Sequence, residues 1–151
     1  MNNTNIPKET MVEEWIKSLP DSISALVYHM KHPWLWTIMI ELSVFILLPL
    51  MCGLSDAYSI IAFSSCACMG FVGVMPLFIK ETKVAHYVFA ILGALLSQLW
   101  CVLVGDWLVI LGWWVSYLIF LGILAITGYA NKWCLFAELW CIAGILGILL
   151  T

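Results

Sequence analysis

The chain has 151 residues, of which 64% are hydrophobic and 10% charged, whereas soluble domains carry about half apolar and about a quarter charged residues. With a mean hydropathy of +1.06, this balance excludes a water-soluble globule and leaves too little polar sequence for an independent soluble catalytic module. Six lysines, no arginine and nine acidic residues give a net charge of -3, which excludes nucleic acid as a partner, because holding a phosphate backbone takes a basic excess.

In chain order, residues 1–33 mix Lys8, Lys17 and Lys31 with Glu9, Glu13, Glu14 and Asp21. A cleavable signal places its apolar core directly after a short basic stretch, so this segment does not read as one. Nor does Met1-Asn2 supply the glycine of a lipidation motif. Val12, Trp15, Ile16 and Leu19 recur on one helical face, and Glu13 and Lys17 form an i,i+4 pair on another. Beyond Pro20, Asp21 or Ser22 is placed to cap a second short helix carrying Ile23, Leu26, Val27 and Met30. The expectation is a cytoplasmic amphipathic arm, lying at the interface or docking a protein.

Residues 34–151 form the membrane domain. Five apolar runs are long enough to cross the hydrocarbon core as helices: 34–54, 57–79, 84–104, 107–127 and 133–150. The connections between them are short, which predicts an all-α, five-transmembrane-helix up-down bundle. All six lysines fall on one side: three before the first run, Lys80 and Lys83 in the second connection, and Lys132 in the fourth. Positive residues are retained inside, so the N-terminus is expected in the cytoplasm and the C-terminus outside.

Ionisable groups within hydrocarbon mark candidate functional sites. Glu41 and Glu138 are the clear cases, each about 10 Å from the cytoplasmic end of its helix. His86 lies just inside the third run. If they converge, these three residues are candidates for a proton or cation path. On the outer side, Asp56 and Asp106 precede helices and read as N-caps, or as a cation-attracting vestibule in an oligomer. Small residues at four-residue spacing, among them Gly70, Gly93, Ser97, Gly112 and Gly147, are expected to let helices approach closely. Ser97 and Gln98 add interhelical hydrogen-bonding capacity. Pro49 and Pro76 are expected to kink the first and second helices.

Trp34, Trp36, Trp107 and Trp133 sit at helix ends as interfacial anchors, while Trp100, Trp113, Trp114 and Trp140 lie deeper, between helices. The six cysteines lack a Cys-x-x-Cys motif or a suitably spaced histidine, so no metal or other cofactor is expected. Cys52 and Cys101 share the outer end, where a disulfide is the alternative to free thiols. The chain contains no nucleophile elbow, phosphate-binding glycine loop or His-Glu-x-x-His pair, and no enzymatic activity is expected.

Residues 54–58 (Leu-Ser-Asp-Ala-Tyr), 71–78 (Phe-Val-Gly-Val-Met-Pro-Leu-Phe) and 83–93 (Lys-Val-Ala-His-Tyr-Val-Phe-Ala-Ile-Leu-Gly) resemble small multi-span proteins of bacteria and their phages that lack assigned functions. The resemblance implies a prokaryotic cytoplasmic membrane and brings no mechanism or site residue. Two functions are then expected. One is an oligomeric ion or proton pathway, or a membrane-permeabilising pore, built on the buried carboxylates. The other is a non-catalytic scaffold or accessory subunit that binds a membrane or cytoplasmic protein through its helices and arm. The partners are accordingly the lipid bilayer, further copies of the chain and such a protein.

Overall fold

A computed structural model describes residues 8–75 and 82–150, and side chains from Glu13 onward within them. These residues are helical, without a strand. A short helix α1 (Lys8–Ser18) precedes five long ones: α2 (Trp34–Leu54), α3 (Ser59–Val74), α4 (Lys83–Val104), α5 (Trp107–Ile126) and α6 (Trp133–Leu150). With the 3₁₀ turns that lead into α3 and α6, all five are long and apolar enough to cross a membrane. The chain is an integral membrane protein by this measure. Its outward faces are apolar, as at Phe45, Ile60, Leu95, Leu118 and Ile126, which suits hydrocarbon and not water.

The helix ends follow local chemistry. The Asp106 carboxylate accepts the backbone N–H of Leu108 at 2.8 Å and caps α5 as expected. At the other end of α5, Gly128 adopts φ +82°. There the N–H of Tyr129 reaches the Leu124 carbonyl at 2.8 Å and that of Gly128 reaches Ala125 at 3.3 Å. This pair of bonds closes a helix through a left-handed residue, and glycine adopts that conformation without a Cβ clash. Asp56 departs from expectation. Extended Ser55 precedes the 3₁₀ turn Asp56–Tyr58, and Asp56 lies inside its first turn and makes no side-chain cap. Its negative charge still faces the positive end of the peptide dipoles there.

The second helix is shorter than expected. It ends at Val74, and Met75 takes φ -113°, ψ 58°. The residue before a proline is sterically driven out of the helical region, which accounts for the conformation of Met75; Pro76 itself, where a kink was expected, lies outside the described residues. Residues 76–79 of the expected span, Lys80 of the second connection and Thr151 lie outside the described residues. Pro49 lies within α2.

Helix α3 packs against both α2 and α4, and α6 packs against α4 as well as α5. Their shared core is Met51, Ala62, Cys66, Trp100, Cys101, Ile110 and Ile145. Two small residues allow close approach along α3. A Cβ on Gly73 would lie 2.8 Å from Ile40 Cγ2, and the Thr37 hydroxyl donates to the Gly73 carbonyl at 2.9 Å. A Cβ on Gly93 would lie 3.1 Å from Met69 Sδ, and Ser65 donates to the Gly93 carbonyl at 3.0 Å. Gly70 faces the Glu41 carboxylate in the same α2–α3 seam.

The other small residues behave differently. Ser97 is buried, but its hydroxyl turns back to Ala94 of its own helix at 2.8 Å. A Cβ on Gly112 or Gly147 would meet nothing within 4 Å. Instead of closing an interface, they line a cleft of about 760 Å³ between α5 and α6, with Ser116, Ala143 and Asp106 on its walls. Bulky rings on the same two helices hold this gap open, because Trp113 and Trp140 stack at 4.8 Å.

Gly73→Ala is expected to lower stability by about 1–3 kcal/mol, the usual cost of overpacking a filled interface. Gly147→Ala should change it by less than about 0.5 kcal/mol. Thermal unfolding of the two variants in the same detergent checks this contrast.

Candidate functional site

The polar chemistry of the molecule gathers where the segment after α1 meets the starts of α4 and α6. Proline at position 20 interrupts helix α1, and the 3₁₀ helix Ser24–His29 follows. Ser22 accepts the Ala25 N–H at 3.1 Å, the cap expected there. Val27 and Ser24 are buried by the fold, while Leu26 and Tyr28 face outward.

Two chain segments cap one another at this point. The Asp21 carbonyl accepts the N–H of Leu135, in the first turn of α6, at 3.1 Å. This satisfies one of the N-terminal donors that every helix leaves without an internal partner. In return, one carboxylate oxygen of Glu138, a turn further along α6, accepts the N–H of Ile23 at the start of the 3₁₀ helix. The other oxygen of Glu138 lies 3.9 Å from Cys134 Sγ, one turn back on the same helix face.

A buried cation joins the same knot. Lys132 Nζ pairs with the Asp21 carboxylate at 2.9 Å and donates to the Leu19 carbonyl at 2.5 Å. Asn131 Nδ2 also approaches Asp21 Oδ1, at 3.4 Å. The ammonium is buried and Asp21 is mostly exposed, so the carboxylate reaches inward to a charge that would otherwise lack a counter-ion.

His86, fully buried, completes the arrangement from α4. Its Nδ1 lies 3.2 Å from the Met75 carbonyl and its Nε2 lies 3.2 Å from Ser24 Oγ. A carbonyl only accepts, so Nδ1 carries the proton and, in the neutral ring, the serine hydroxyl donates to Nε2. His86 therefore links the carbonyl end of α3 to the segment held by Glu138.

The expected convergence of Glu41, Glu138 and His86 is only partly present. Glu138 and His86 grip adjacent residues, Ile23 and Ser24. Glu41 lies elsewhere, with its carboxylate against Gly70 and Gly73. Its Oε1 is buried without a hydrogen-bond partner among the described residues. A shallow groove of about 360 Å³ runs beside it between α2 and α3. The α2 and α6 helices do touch, but Glu41 faces the α2–α3 seam whereas Glu138 faces the segment after α1.

A second polar network, partly anticipated at Gln98, stitches α4, α5 and α6 together. Gln98 accepts from Trp114 Nε1 at 3.1 Å and donates to the Cys141 carbonyl at 3.2 Å. Trp113 and Trp140 donate to each other's backbone carbonyls at 3.2 and 3.1 Å. The deep tryptophans thus pack between helices as expected, and Trp34, Trp107 and Trp133 are exposed at helix ends. Trp36 differs from the anchor expected of it, being buried with its Nε1 unpartnered among the described residues. All six cysteines are free thiols, with Cys101 in the core and Cys52 Sγ directed to the Ser59 carbonyl at 3.8 Å. Among the described residues no group of three or more His, Cys, Asp or Glu side chains is placed to hold a metal ion.

In the sequence Asp21 reads as a cap and Lys132 as a topological marker, with nothing local to link them. The available signal was Lys132 at the entrance to an apolar run, where a lysine needs either the interface or a counter-ion. Compared with known protein families, curated proteins and solved structures, the chain matches none of them.

Removing the Glu138 acceptor leaves a part-buried N–H without that partner, at a cost of up to about 1–3 kcal/mol. Glu138→Ala is therefore expected to speed amide hydrogen exchange across residues 21–29. Glu138→Gln should preserve most of the protection, since its amide oxygen still accepts from Ile23. Exchange measured by mass spectrometry in lipid nanodiscs checks both.

Proposed function

We propose that the protein is a non-catalytic membrane scaffold or accessory subunit, a five-span up-down bundle that binds a partner protein through its helices and its N-terminal arm. The observation that carries this reading is the reciprocal capping of residues 21–24 and α6. Glu138 and His86 are committed to holding the arm. The held segment presents Leu26 and Tyr28 outward, and Trp15 stands exposed on α1. Fixing a short segment in advance lowers the entropy cost of docking a partner on it. We place the arm and N-terminus in the cytoplasm of a prokaryote and the C-terminus outside, because all six lysines fall at that end of the helices.

One observation favours a second reading, an oligomeric ion or proton pathway. Glu41 Oε1 is buried without a donor among the described residues, and an unsatisfied carboxylate at membrane depth is a natural stop for a proton or cation. In that reading Glu138 and His86 serve the path only if the arm releases them.

Two experiments separate the readings. The full-length chain, extracted from native membranes in mild detergent after light crosslinking, should carry a stoichiometric partner that is lost when residues 1–30 are deleted; recovery of the chain alone counts against a scaffold. In proteoliposomes with a pH-sensitive dye, the pathway reading requires proton flux that Glu41→Gln reduces, while the scaffold reading predicts flat traces at every voltage and pH.

A further inference from the structure

The α2–α3 groove combines a carboxylate oxygen, Glu41 Oε1, without a hydrogen-bond partner among the described residues and a shape that fits a helix. Glu41, Val44 and Leu48 line it from α2 at i, i+3 and i+7, and Phe63, Ala67, Gly70 and Val74 line it from α3. The α3 residues recur at i, i+4, i+7 and i+11, so the groove follows the helix axes for about 16 Å. Ala67 and Gly70 in its lining are small, and small residues are how membrane helices admit a neighbouring backbone. Glu41 stands at one end, about 10 Å along α2 from Trp34.

We propose that this groove seats a transmembrane helix of a partner protein that carries a lysine or arginine to the Glu41 carboxylate. The inference rests on the scaffold reading and names the chemistry of the partner. Charge complementarity selects the occupant. The described lysines do not meet Glu41, and Lys132 is bound to Asp21. A second copy of this chain is unsuitable, because none of its six lysines lies in the interior of a span. A lipid ammonium stays at headgroup level, above the carboxylate. An inorganic cation needs several oxygen ligands, and the groove offers Glu41 among apolar side chains. A basic side chain on a helix brings its own apolar stem and reaches that depth. Each charge is expensive in hydrocarbon alone, so each relieves the other.

The test uses the full-length protein, donor-labelled and reconstituted in phosphatidylcholine vesicles, with acceptor-labelled synthetic leucine-alanine transmembrane peptides. One peptide carries a single lysine about 10 Å from its end, and its control carries leucine there. Energy transfer should show the lysine peptide associating about tenfold more tightly than the control. Glu41→Gln should reduce it to the control level while leaving the helical circular dichroism unchanged. Gly70→Leu, which fills the groove and keeps the carboxylate, should weaken both peptides. Equal association of the two peptides with the unmodified protein, or undiminished lysine preference in Glu41→Gln, overturns the inference. A partner recovered by crosslinking together with no lysine preference removes this inference alone; absence of any partner removes the scaffold reading.

Discussion

A polar group within a bilayer has no water to fall back on, so the chain itself supplies most of the partners; among the described residues the exceptions are Glu41 Oε1 and the indole nitrogens of Trp36 and Trp100. The Glu138 carboxylate is where that constraint organises the structure. It accepts the Ile23 N–H, while the Asp21 carbonyl accepts the Leu135 N–H in return. Two helix starts, more than a hundred residues apart in sequence, supply each other's missing partners. Lys132 is held in the same knot by Asp21, and His86 is turned toward Ser24. An ionisable group within hydrocarbon is costly, and here the Ile23 N–H gives the Glu138 carboxylate a partner while the same bond ties the segment after α1 to α6.

The same constraint explains the interior. Gln98 and the indoles of Trp113, Trp114 and Trp140 spend their hydrogen-bonding groups on one another and on backbone carbonyls. Large rings between α5 and α6 then prevent the close approach that Gly112 and Gly147 would permit, and a cleft remains on their side. Between α2 and α3, Gly73 brings the helices together against Ile40, and the rings of Phe63 and Phe71 line the groove beside that contact.

Much of the architecture was legible in the sequence because solvent sets it. Five apolar runs, their short connections and the Asp106 cap follow from hydropathy and local hydrogen bonding, and the long helices begin and end within a few residues of expectation. The α3 terminus was misjudged because hydropathy continues through Pro76, while the backbone preference of Met75 does not. The candidate site was legible as a set of residues and not as an arrangement. Depth along a helix can be counted, and it places Glu41 and Glu138 at similar levels. The direction each side chain faces depends on which helices pack together, which one sequence does not encode locally. Trp36 shows the same limit, because its position near a helix end gave no sign that the ring turns inward.

Glu138 holds the N-terminal segment onto the bundle through the backbone of Ile23. Magic-angle-spinning NMR of the isotopically labelled protein in lipid bilayers observes this contact directly, as a through-space correlation between the Ile23 amide nitrogen and the Glu138 carboxylate carbon. The account predicts a strong correlation that disappears when Glu138 is replaced by alanine. Resolved signals from both groups with no correlation between them would contradict it.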